Sequence, residues 1–273
     1  MIVEPVDEGV DAGGPGQIVL HRIYEWPRAV EPDGSRRSTD SARVPVDLHA
    51  ELRAGEPFVR LRVAFDNQCS DHRVRVHVPL PRETDHTRVE GQFAIVERPA
   101  RQEGGHGEQG LGTYPASAFV TTGGVALLFE HVSEYELVGR SELAITALRS
   151  IGLISRAANP WRVENAGPEL PIPAAQMHGP HSFAFAWCAD PERALEHAER
   201  YRYPLLTIAG AGGSVEEHAG PGLTGAVMTS LRRREGKLEA RIVNESAQQS
   251  TARLGDVSAE LRPWEIRTIE IGS

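Results

Sequence analysis

The strongest constraint on the fold is a two-residue alternation of apolar and polar side chains that recurs in short runs. In residues 58–65 every second side chain is apolar, and Arg60 and Arg62 lie between them; residues 44–52 and 73–78 repeat the pattern. Successive side chains of a strand point to opposite faces of a sheet, so this period predicts half-buried antiparallel strands. The 19 prolines and 27 glycines supply turns between short strands, and a mostly β fold follows.

The distribution of glycine and acidic residues divides the chain into four predicted parts. Residues 1–16 are acidic and Gly-rich and are predicted to be a flexible N-terminal segment. Residues 17–208 are predicted to form one large antiparallel β-sandwich domain. Residues 209–222 contain few large apolar side chains and are predicted to be a Gly-rich linker. Residues 223–273 return to short strands and are predicted to form a small C-terminal β-sandwich module.

The charge balance disfavours some classes of partner. With 29 basic and 38 acidic residues the net charge is −9, whereas nucleic acid and anionic membranes attract positive surfaces. No apolar run approaches the roughly 20 residues that a membrane span needs. Cys69 and Cys188 are too far apart in sequence to suggest a disulfide framework or a zinc ribbon. We therefore expect a cytoplasmic protein that binds neither nucleic acid nor membrane.

The sequence motifs of common catalytic sites are absent. There is no Gly-x-Ser-x-Gly nucleophile motif, and the glycine clusters precede loops or strands rather than a helix that would bind phosphate. His178 and His181 have a three-residue spacing, but Pro180 excludes the regular helix that would align them as metal ligands. Carboxylate pairs such as Glu130 and Glu134 are interpreted as solvated charges. No catalytic residue and no metal ligand is assigned.

Two polar segments are candidates for a binding site. The first is the densest polar cluster in the chain, formed by Asp66, Asn67, Asp71, His72, Arg73 and Arg75. One interpretation is a turn with Asx-type hydrogen bonds, closed by an ion pair between Asp71 and Arg73. A pair between Asp66 and Arg75 would close it equally well. The other interpretation is a polar shelf that binds sugar hydroxyls or a partner, since arginine forks and carboxylates bind hydroxyls well.

The second candidate is the long irregular segment between residues 148 and 176, which carries Arg149, Trp161, Arg162 and Gln176. Long loops on a β scaffold often carry function. Trp161 is predicted either to stack on the face of a sugar or, as the simpler interpretation, to plug one end of the sandwich.

Short sequence runs in these segments and beyond resemble, in a fixed order, one known family. The runs are residues 65–67, 71–75, 91–99, 113–116, 119–120, 131–136, 148–152, 166–168, 176, 203–206, 241–244 and 261–268. Over about residues 17–271 the chain resembles the C-terminal β region of glycoside hydrolase family 38, the α-mannosidases.

The resemblance implies a fold and a set of absences. The family's β region is a large antiparallel supersandwich, similar to that of galactose mutarotase, followed by smaller β modules. In complete enzymes an upstream (β/α) barrel holds zinc, an aspartate nucleophile and an acid/base carboxylate, and the mechanism is retaining. No residue of this chain matches the nucleophile, the acid/base carboxylate or the zinc ligands of that barrel. The resemblance therefore implies no cofactor in this chain, with zinc expected in the separate catalytic barrel.

The resemblance also implies partners and a site. The family's β region packs on the barrel and helps to wall the sugar site, and an arginine-bearing loop lies near that site in some members. Arg162, with Arg149 and Gln176, matches that loop. Because the surface that meets the barrel would be exposed in its absence, we expect either docking on a barrel or self-association, with a mannoside as carbohydrate ligand.

Three alternatives remain open from the sequence. The chain is a free-standing carbohydrate-binding β-sandwich module, in which Trp161 or the polar cluster binds mannosides without a partner. Alternatively it is a mutarotase-type enzyme, which would need a converging His and Glu pair drawn from His72, His77 and Glu97. The last alternative is a structural module without a ligand.

Overall fold

A computed structural model describes residues 4–102, 104–156, 161–162, 164–203, 210 and 222–271. The strands in these residues are β1 (Asp7–Ala12), β2 (Gln17–Pro27), β3 (Ser41–Leu52), β4 (Phe58–Asn67), β5 (Arg73–Pro79), β6 (His86–Glu90), β7 (Ile95–Pro99), β8 (Thr113–Ala116), β9 (Phe119–Thr122), β10 (Val125–Phe129), β11 (Ser133–Val138), β12 (Glu142–Arg149), β13 (Gly179–Cys188), β14 (Leu223–Thr224), β15 (Val227–Arg234), β16 (Lys237–Val243), β17 (Ser250–Leu254), β18 (Val257–Leu261) and β19 (Ile266–Ile271). The helices are α1 (Ala194–Arg202) and two short 3-10 helices at Pro173–Gln176 and Pro191–Arg193.

The chain divides into two compact units. The first contains Met1–Val89 and Glu97–Tyr203, and the second contains Glu90–Val96 and Pro204–Ser273. The predicted linker, residues 209–222, lies almost wholly outside the described residues, so its boundaries stay a prediction.

The first unit contains two antiparallel sheets. One has nine strands in the order β1-β2-β3-β4-β13-β10-β9-β6-β7, and the other has four in the order β5-β12-β11-β8. A hydrogen bond of 2.7 Å between Thr87 Oγ1 on β6 and Tyr135 Oη on β11 joins them. Strand β10 is buried along its whole length, and α1 packs against β9 and β10. Burial on both faces explains why β10 is a continuous apolar run rather than an alternating one.

The prediction of a flexible segment over residues 1–16 differs from the structure. Strand β1 pairs antiparallel with β2, from Asp7 opposite Ile23 to Ala12 opposite Ile18. All six of its residues are exposed, so this edge strand is held by backbone hydrogen bonds and not by apolar burial. A sequence pattern that reports burial therefore gives no signal for it.

The second unit is a small β-sandwich. Its two three-stranded sheets have the orders β14-β17-β18 and β15-β16-β19. Both sheets contribute to one core, whose buried residues are Ala240, Ile242, Ala252, Leu254 and Leu261. The predicted fold class, a mostly antiparallel β protein built from several packed sheets, is confirmed.

Candidate functional site

The buried side chain of Asn67 organises the polar turn that follows strand β4. Its Nδ2 donates hydrogen bonds to the backbone carbonyls of Gln176 (3.0 Å) and Met177 (2.9 Å). Its Oδ1 accepts from the backbone N–H of Cys69 (3.0 Å) and from Nε2 of His72 (2.9 Å). Because Asn67 is only 1% exposed, water cannot replace these partners easily.

The side chain of Gln176 closes the same turn from the loop that precedes β13. Gln176 Oε1 accepts from the backbone N–H of Asp71 (2.8 Å) and from the Ser150 hydroxyl (2.7 Å). The Asp71 carboxylate accepts from the backbone N–H of Gly152 (2.9 Å), where a Cβ would lie 2.6 Å from Gln176 Nε2. The residues joined by these hydrogen bonds form one cluster, which we call the turn network: Asn67, Asp71, His72, Ser150, Gly152 and Gln176.

Arg37 anchors the turn network to the end of β2. Its Nη1 donates to the carbonyls of Ser70 (3.1 Å) and Asp71 (2.7 Å), and its Nη2 donates to the carbonyl of Pro27 (2.7 Å). Burial first, and then the charge of Arg37, lower the pKa of His72 to about 4. His72 is therefore neutral at neutral pH and donates a hydrogen bond to the network.

The two arginines of the predicted cluster lie outside the turn network. Arg73 Nη1 lies 3.1 Å from Glu134 Oε1, and Arg75 donates to Glu136. Both pairs join β5 to β11 across the intervening strand β12. They form a charged ladder on one face of the four-stranded sheet, and all four side chains are about one-third exposed or less.

The predicted ion pairs of Arg73 with Asp71 and of Arg75 with Asp66 are wrong. Asp71 has a left-handed φ of 53°, which directs the chain around the turn, and its carboxylate is bonded to Gly152. Both arginines instead point along the face of a regular sheet, where carboxylates from another strand are in reach.

An open groove with a volume of about 860 Å³ lies beside Arg149. Its walls come from β4 and β13 of the nine-stranded sheet, from β8, β11 and β12 of the four-stranded sheet, and from residues 130–132 between them. We call it the sheet-edge groove. The residues that give it its chemistry are Arg62, Glu130, Glu134, Thr146, Arg149 and Phe183.

Glu134 is held in place at the wall of the sheet-edge groove. Its Oε1 accepts from the hydroxyl of Thr146 (2.7 Å) and pairs with Arg73. Its Oε2 lies 3.4 Å from Nη1 of Arg149, whose side chain is 63% exposed. The carboxylate is therefore fixed, while the guanidinium of Arg149 is accessible to a ligand.

Trp161 and Arg162 lie beside the Gly-rich loop that precedes β8. The carbonyl of Trp161 accepts from the N–H of Gln109 (2.7 Å), and Arg162 Nη1 lies 3.8 Å from Glu108 Oε1. Trp161 is 48% exposed, so the prediction that it plugs the end of the sandwich is wrong. The four predicted loop residues thus lie in three places: Gln176 in the turn network, Arg149 at the sheet-edge groove, and Trp161 with Arg162 here.

The loop between β12 and β13 exposes several large apolar side chains. The backbone N–H of Ile154 donates to the carbonyl of Leu170 (3.0 Å), which places these two residues side by side. They are 54% and 53% exposed, and Ile151 and Met177 in the same loop are also exposed. We call these four residues the apolar loop surface. Exposed apolar residues concentrated in one segment indicate a contact surface.

The residues of the mutarotase alternative do not converge. Among the described residues neither His72 nor His77 is hydrogen-bonded to Glu97. His77 Nδ1 lies 2.9 Å from Glu142 Oε2, and His72 is bonded to Asn67. Among the described residues no group of three or more His, Cys, Asp or Glu side chains is placed to hold a metal ion. In the same part of the chain, no helix has the length and apolar character needed to cross a bilayer.

Some residues of these sites were missed from the sequence. Arg37 was not singled out because its partners are backbone carbonyls, which leave no pattern in a sequence. Arg62 is named above only as part of an alternating strand, and Phe183 is not singled out. Both line the sheet-edge groove because β4 and β13 are neighbours, with Arg62 opposite Ala184 and Val63 opposite Phe183.

Comparison with known proteins supports the fold. The chain is similar to a protein in the glycosyl hydrolase family 38 from Enterococcus faecalis, with a TM-score of 0.71 and 19% sequence identity, over 98% of this chain and 36% of that one. It is also similar to an alpha-mannosidase from Enterococcus faecalis V583, with a TM-score of 0.72 and 19% identity, over 98% of this chain and 35% of that one. No family model and no curated protein sequence matches. The chain therefore has the fold of a region that spans about a third of these longer chains.

Proposed function

We propose that this chain is the non-catalytic β region of an α-mannosidase-like glycoside hydrolase, which packs on a catalytic barrel and helps to wall its sugar site. The observation that carries the proposal is the coverage of the structural likeness. Nearly all of this chain matches, but only 35–36% of each longer chain does. A region of this kind would leave the nucleophile, the acid/base carboxylate and zinc to the barrel, and a cytoplasmic location remains a prediction.

The apolar loop surface supports docking on another protein. Ile154 and Leu170 lie next to each other and are both more than half exposed. Burying the exposed half of each side chain stabilises a contact by about 1 kcal/mol per residue. The occupant that we propose for this surface is the catalytic barrel, with a second copy of the chain as the substitute when no barrel is present.

Docking is tested by mixing the purified chain with a barrel-bearing α-mannosidase chain from which the β region has been removed. Size-exclusion chromatography with light scattering is expected to show a complex, or a dimer of this chain when it is alone. The double substitution Ile154→Ser and Leu170→Ser should abolish both. The matched control, Ile18→Ser with Leu52→Ser, changes two side chains of similar exposure (50% and 60%) on β2 and β3 and should abolish neither. A monomer that captures no barrel contradicts the proposal.

A second candidate function is carbohydrate binding without a partner. The observation that favours it is the sheet-edge groove, which exists within the first unit alone. Glycan binding by the chain in the absence of any barrel would support this second function, whereas capture of the barrel would support the first. The two functions are compatible if the groove contributes a sugar subsite to a larger enzyme.

A further inference from the structure

We infer that the open edge of strand β13 at the sheet-edge groove binds an extended, acidic peptide segment of another protein as an additional strand. In this arrangement Arg62 pairs with a carboxylate of the segment. The inference goes beyond the proposed function, because it needs neither a catalytic barrel nor a sugar. It rests on the lengths of three neighbouring strands and on the charges around the groove.

Strand β13 is longer than the neighbour that covers one of its sides. Strand β4 pairs with all of β13, from Gly179 to Cys188. On the other side β10 pairs only with Phe185–Cys188, because it ends at Phe129. Among the described strands none pairs with residues 179–184 on that side. Roughly 20 Å of strand edge, at about 3.3 Å per residue, is therefore open there.

The sheet-edge groove lies in front of part of this open edge, where Ser182, Phe183 and Ala184 line it. Alternate residues of an antiparallel strand direct their N–H and C=O groups away from a given neighbour, so some of these groups face the groove. Unpaired groups on a strand edge bind an extended chain by β-augmentation. A volume of about 860 Å³, within the range of roughly 300–1,000 Å³ typical of ligand sites, admits a short segment but not a folded domain.

The two faces of the sheet beside the open edge differ in chemistry. Phe183 lies on one face, where its ring centroid is 5.7 Å from that of Phe185. Ala184 lies on the other face, opposite Arg62 of β4. Successive side chains of a bound strand would point to these two faces in turn. A segment with alternating apolar and polar residues would therefore pack the apolar ones against Phe183 and direct the polar ones toward Arg62.

The charges around the groove favour an acidic segment. The groove and the charged ladder beside it contain four arginines and three glutamates, a local excess of one positive charge in a chain whose net charge is −9. These residues are Arg62, Arg73, Arg75, Arg149, Glu130, Glu134 and Glu136. Arg62 is exposed, and among the described residues it has no ion-pair partner. A carboxylate of the bound segment would be that partner.

Arg62 can reach a segment on the far side of β13. The residue opposite it, Ala184, has a short side chain that leaves the path across the strand open. The four-stranded sheet contains the same arrangement, since Arg73 and Arg75 of β5 reach glutamates of β11 across β12. An ion pair across one intervening strand is therefore compatible with the geometry of these sheets.

The test is a titration of the full chain with a synthetic peptide, acetyl-Thr-Val-Glu-Val-Thr-Ser-amide. Its valines alternate with polar residues, and one of these is the glutamate. We expect saturable binding with a Kd of about 1 mM or lower, measured by calorimetry or by NMR. Backbone amides within residues 182–184 should become protected from hydrogen exchange, because the added strand supplies acceptors. A peptide with proline in place of both valines lacks two N–H donors and should not bind.

The substitution Arg62→Ala tests the ion pair. It should weaken binding of the glutamate peptide about 10-fold, the loss typical of one charge-assisted hydrogen bond. A peptide with glutamine in place of glutamate should lose as much with the unsubstituted chain, and the two peptides should bind equally to Arg62→Ala. A merely structural role of Arg62 would instead weaken both peptides alike.

A matched control removes a similar arginine elsewhere in the same sheet. Arg43 is an exposed residue of β3 that does not line the groove, so Arg43→Ala should leave the Kd unchanged. Arg62→Ala should fold normally, because its side chain is exposed and has no ion pair with described residues.

Four results would overturn the inference. They are no saturable binding at about 10 mM peptide, equal affinity of the unsubstituted chain for the glutamate and glutamine peptides, binding of the proline peptide, and protection of amides only outside residues 182–184. Protection of residues 182–184 that increases with protein concentration, without any peptide, would assign the edge to a second copy of the chain and would also overturn it. Capture of a barrel is measured without peptide, so failure here and failure of the proposed function are distinguishable.

Discussion

The turn network and the sheet-edge groove are two polar regions of the first unit that differ in how their polar groups are satisfied. Asn67 in the turn network makes four hydrogen bonds to protein atoms and is 1% exposed. Arg149 at the groove makes one long contact of 3.4 Å with Glu134, and its side chain is 63% exposed. A region whose polar groups are all bonded to other protein groups stabilises the fold. A region with accessible charges beside an open volume can bind a ligand.

The comparison changes the interpretation of the densest polar segment in the sequence. Three of its members, Asn67, Asp71 and His72, belong to the turn network. Two others, Arg73 and Arg75, belong to the charged ladder. The number of polar residues in a segment therefore does not identify a binding site. What identifies it is whether the partners of those residues leave space for a ligand.

The largest expected effect is the loss of stability on Asn67→Ala. The substitution removes one donor from each of two carbonyls and leaves the backbone N–H of Cys69 and the His72 imidazole without their acceptor in a buried place. We expect a cost of about 3 kcal/mol in the free energy of unfolding. Urea denaturation monitored by circular dichroism measures it. Asn165→Ala is the control, since that exposed amide donates one bond to Gly167. A loss of stability in Asn67→Ala as small as that in Asn165→Ala would show that the turn network does not stabilise the fold.

The turn network also predicts a pH dependence of stability. The pKa of His72 is lowered to about 4 in the folded chain, whereas the ordinary value is near 6.5. As pH falls below about 6.5 the unfolded chain takes up the proton first, so stability is full above pH 6.5 and declines toward pH 4. After a discount for partial exposure, His72 should account for about 1–2 kcal/mol of this decline.

The substitution His72→Gln isolates that contribution. It keeps a donor for Asn67 but removes the titrating ring, so the difference in stability between pH 7 and pH 4.5 should shrink. His106→Gln, in an exposed loop, serves as the control and should leave the slope as it is. An unchanged slope in the His72 variant would show that its imidazole titrates normally.

Two tyrosines that pack against each other test the contrast between a polar group with a protein partner and one without. Tyr135 shares a buried hydrogen bond of 2.7 Å with Thr87, whereas the buried hydroxyl of Tyr114, which lines the groove, has no hydrogen-bond partner among the described residues. Tyr135→Phe should therefore cost about 1 kcal/mol, and Tyr114→Phe should cost nothing or stabilise the chain. Thermal unfolding of the two variants compares them. A greater loss of stability in Tyr114→Phe than in Tyr135→Phe would show that the hydroxyl of Tyr114, and not that of Tyr135, stabilises the fold.

The smallest expected effect is that of Arg149→Ala on stability. Its single contact with Glu134 is long and solvent-exposed, so the free energy of unfolding should change by less than about 0.5 kcal/mol. The same variant should weaken any binding of a glycan in the groove, which separates a binding role from a structural one. A stability loss as large as that of Asn67→Ala would place Arg149 in the framework of the fold.

The sequence predicts the sheets better than it predicts the site. Alternation is a local property, and it identifies strands such as β4 and β5 correctly because their side chains face a core on one side. It gives no signal for β1, whose residues are all exposed and whose strand depends on pairing with β2. The continuous run of β10 becomes understandable only when the packing of α1 is known.

The site depends on strand register, which is not local. Arg73 meets Glu134 although 61 residues separate them, and Gln176 accepts from Asp71 across 105 residues. Neighbouring positions in sequence suggested instead that Asp71 would pair with Arg73. The groove likewise depends on where β10 ends relative to β13, a detail that no motif encodes. The ordered resemblance to a known family therefore predicts the fold better than any single residue does.

The proposal that this chain is a non-catalytic region of a larger glycoside hydrolase is tested most directly by measuring hydrolysis of an aryl α-mannoside in the presence of zinc. We expect no turnover above the blank for the purified chain. We also expect turnover to increase when this chain is added to a barrel-bearing chain that lacks its own β region. Robust turnover by the purified chain alone would refute the proposal.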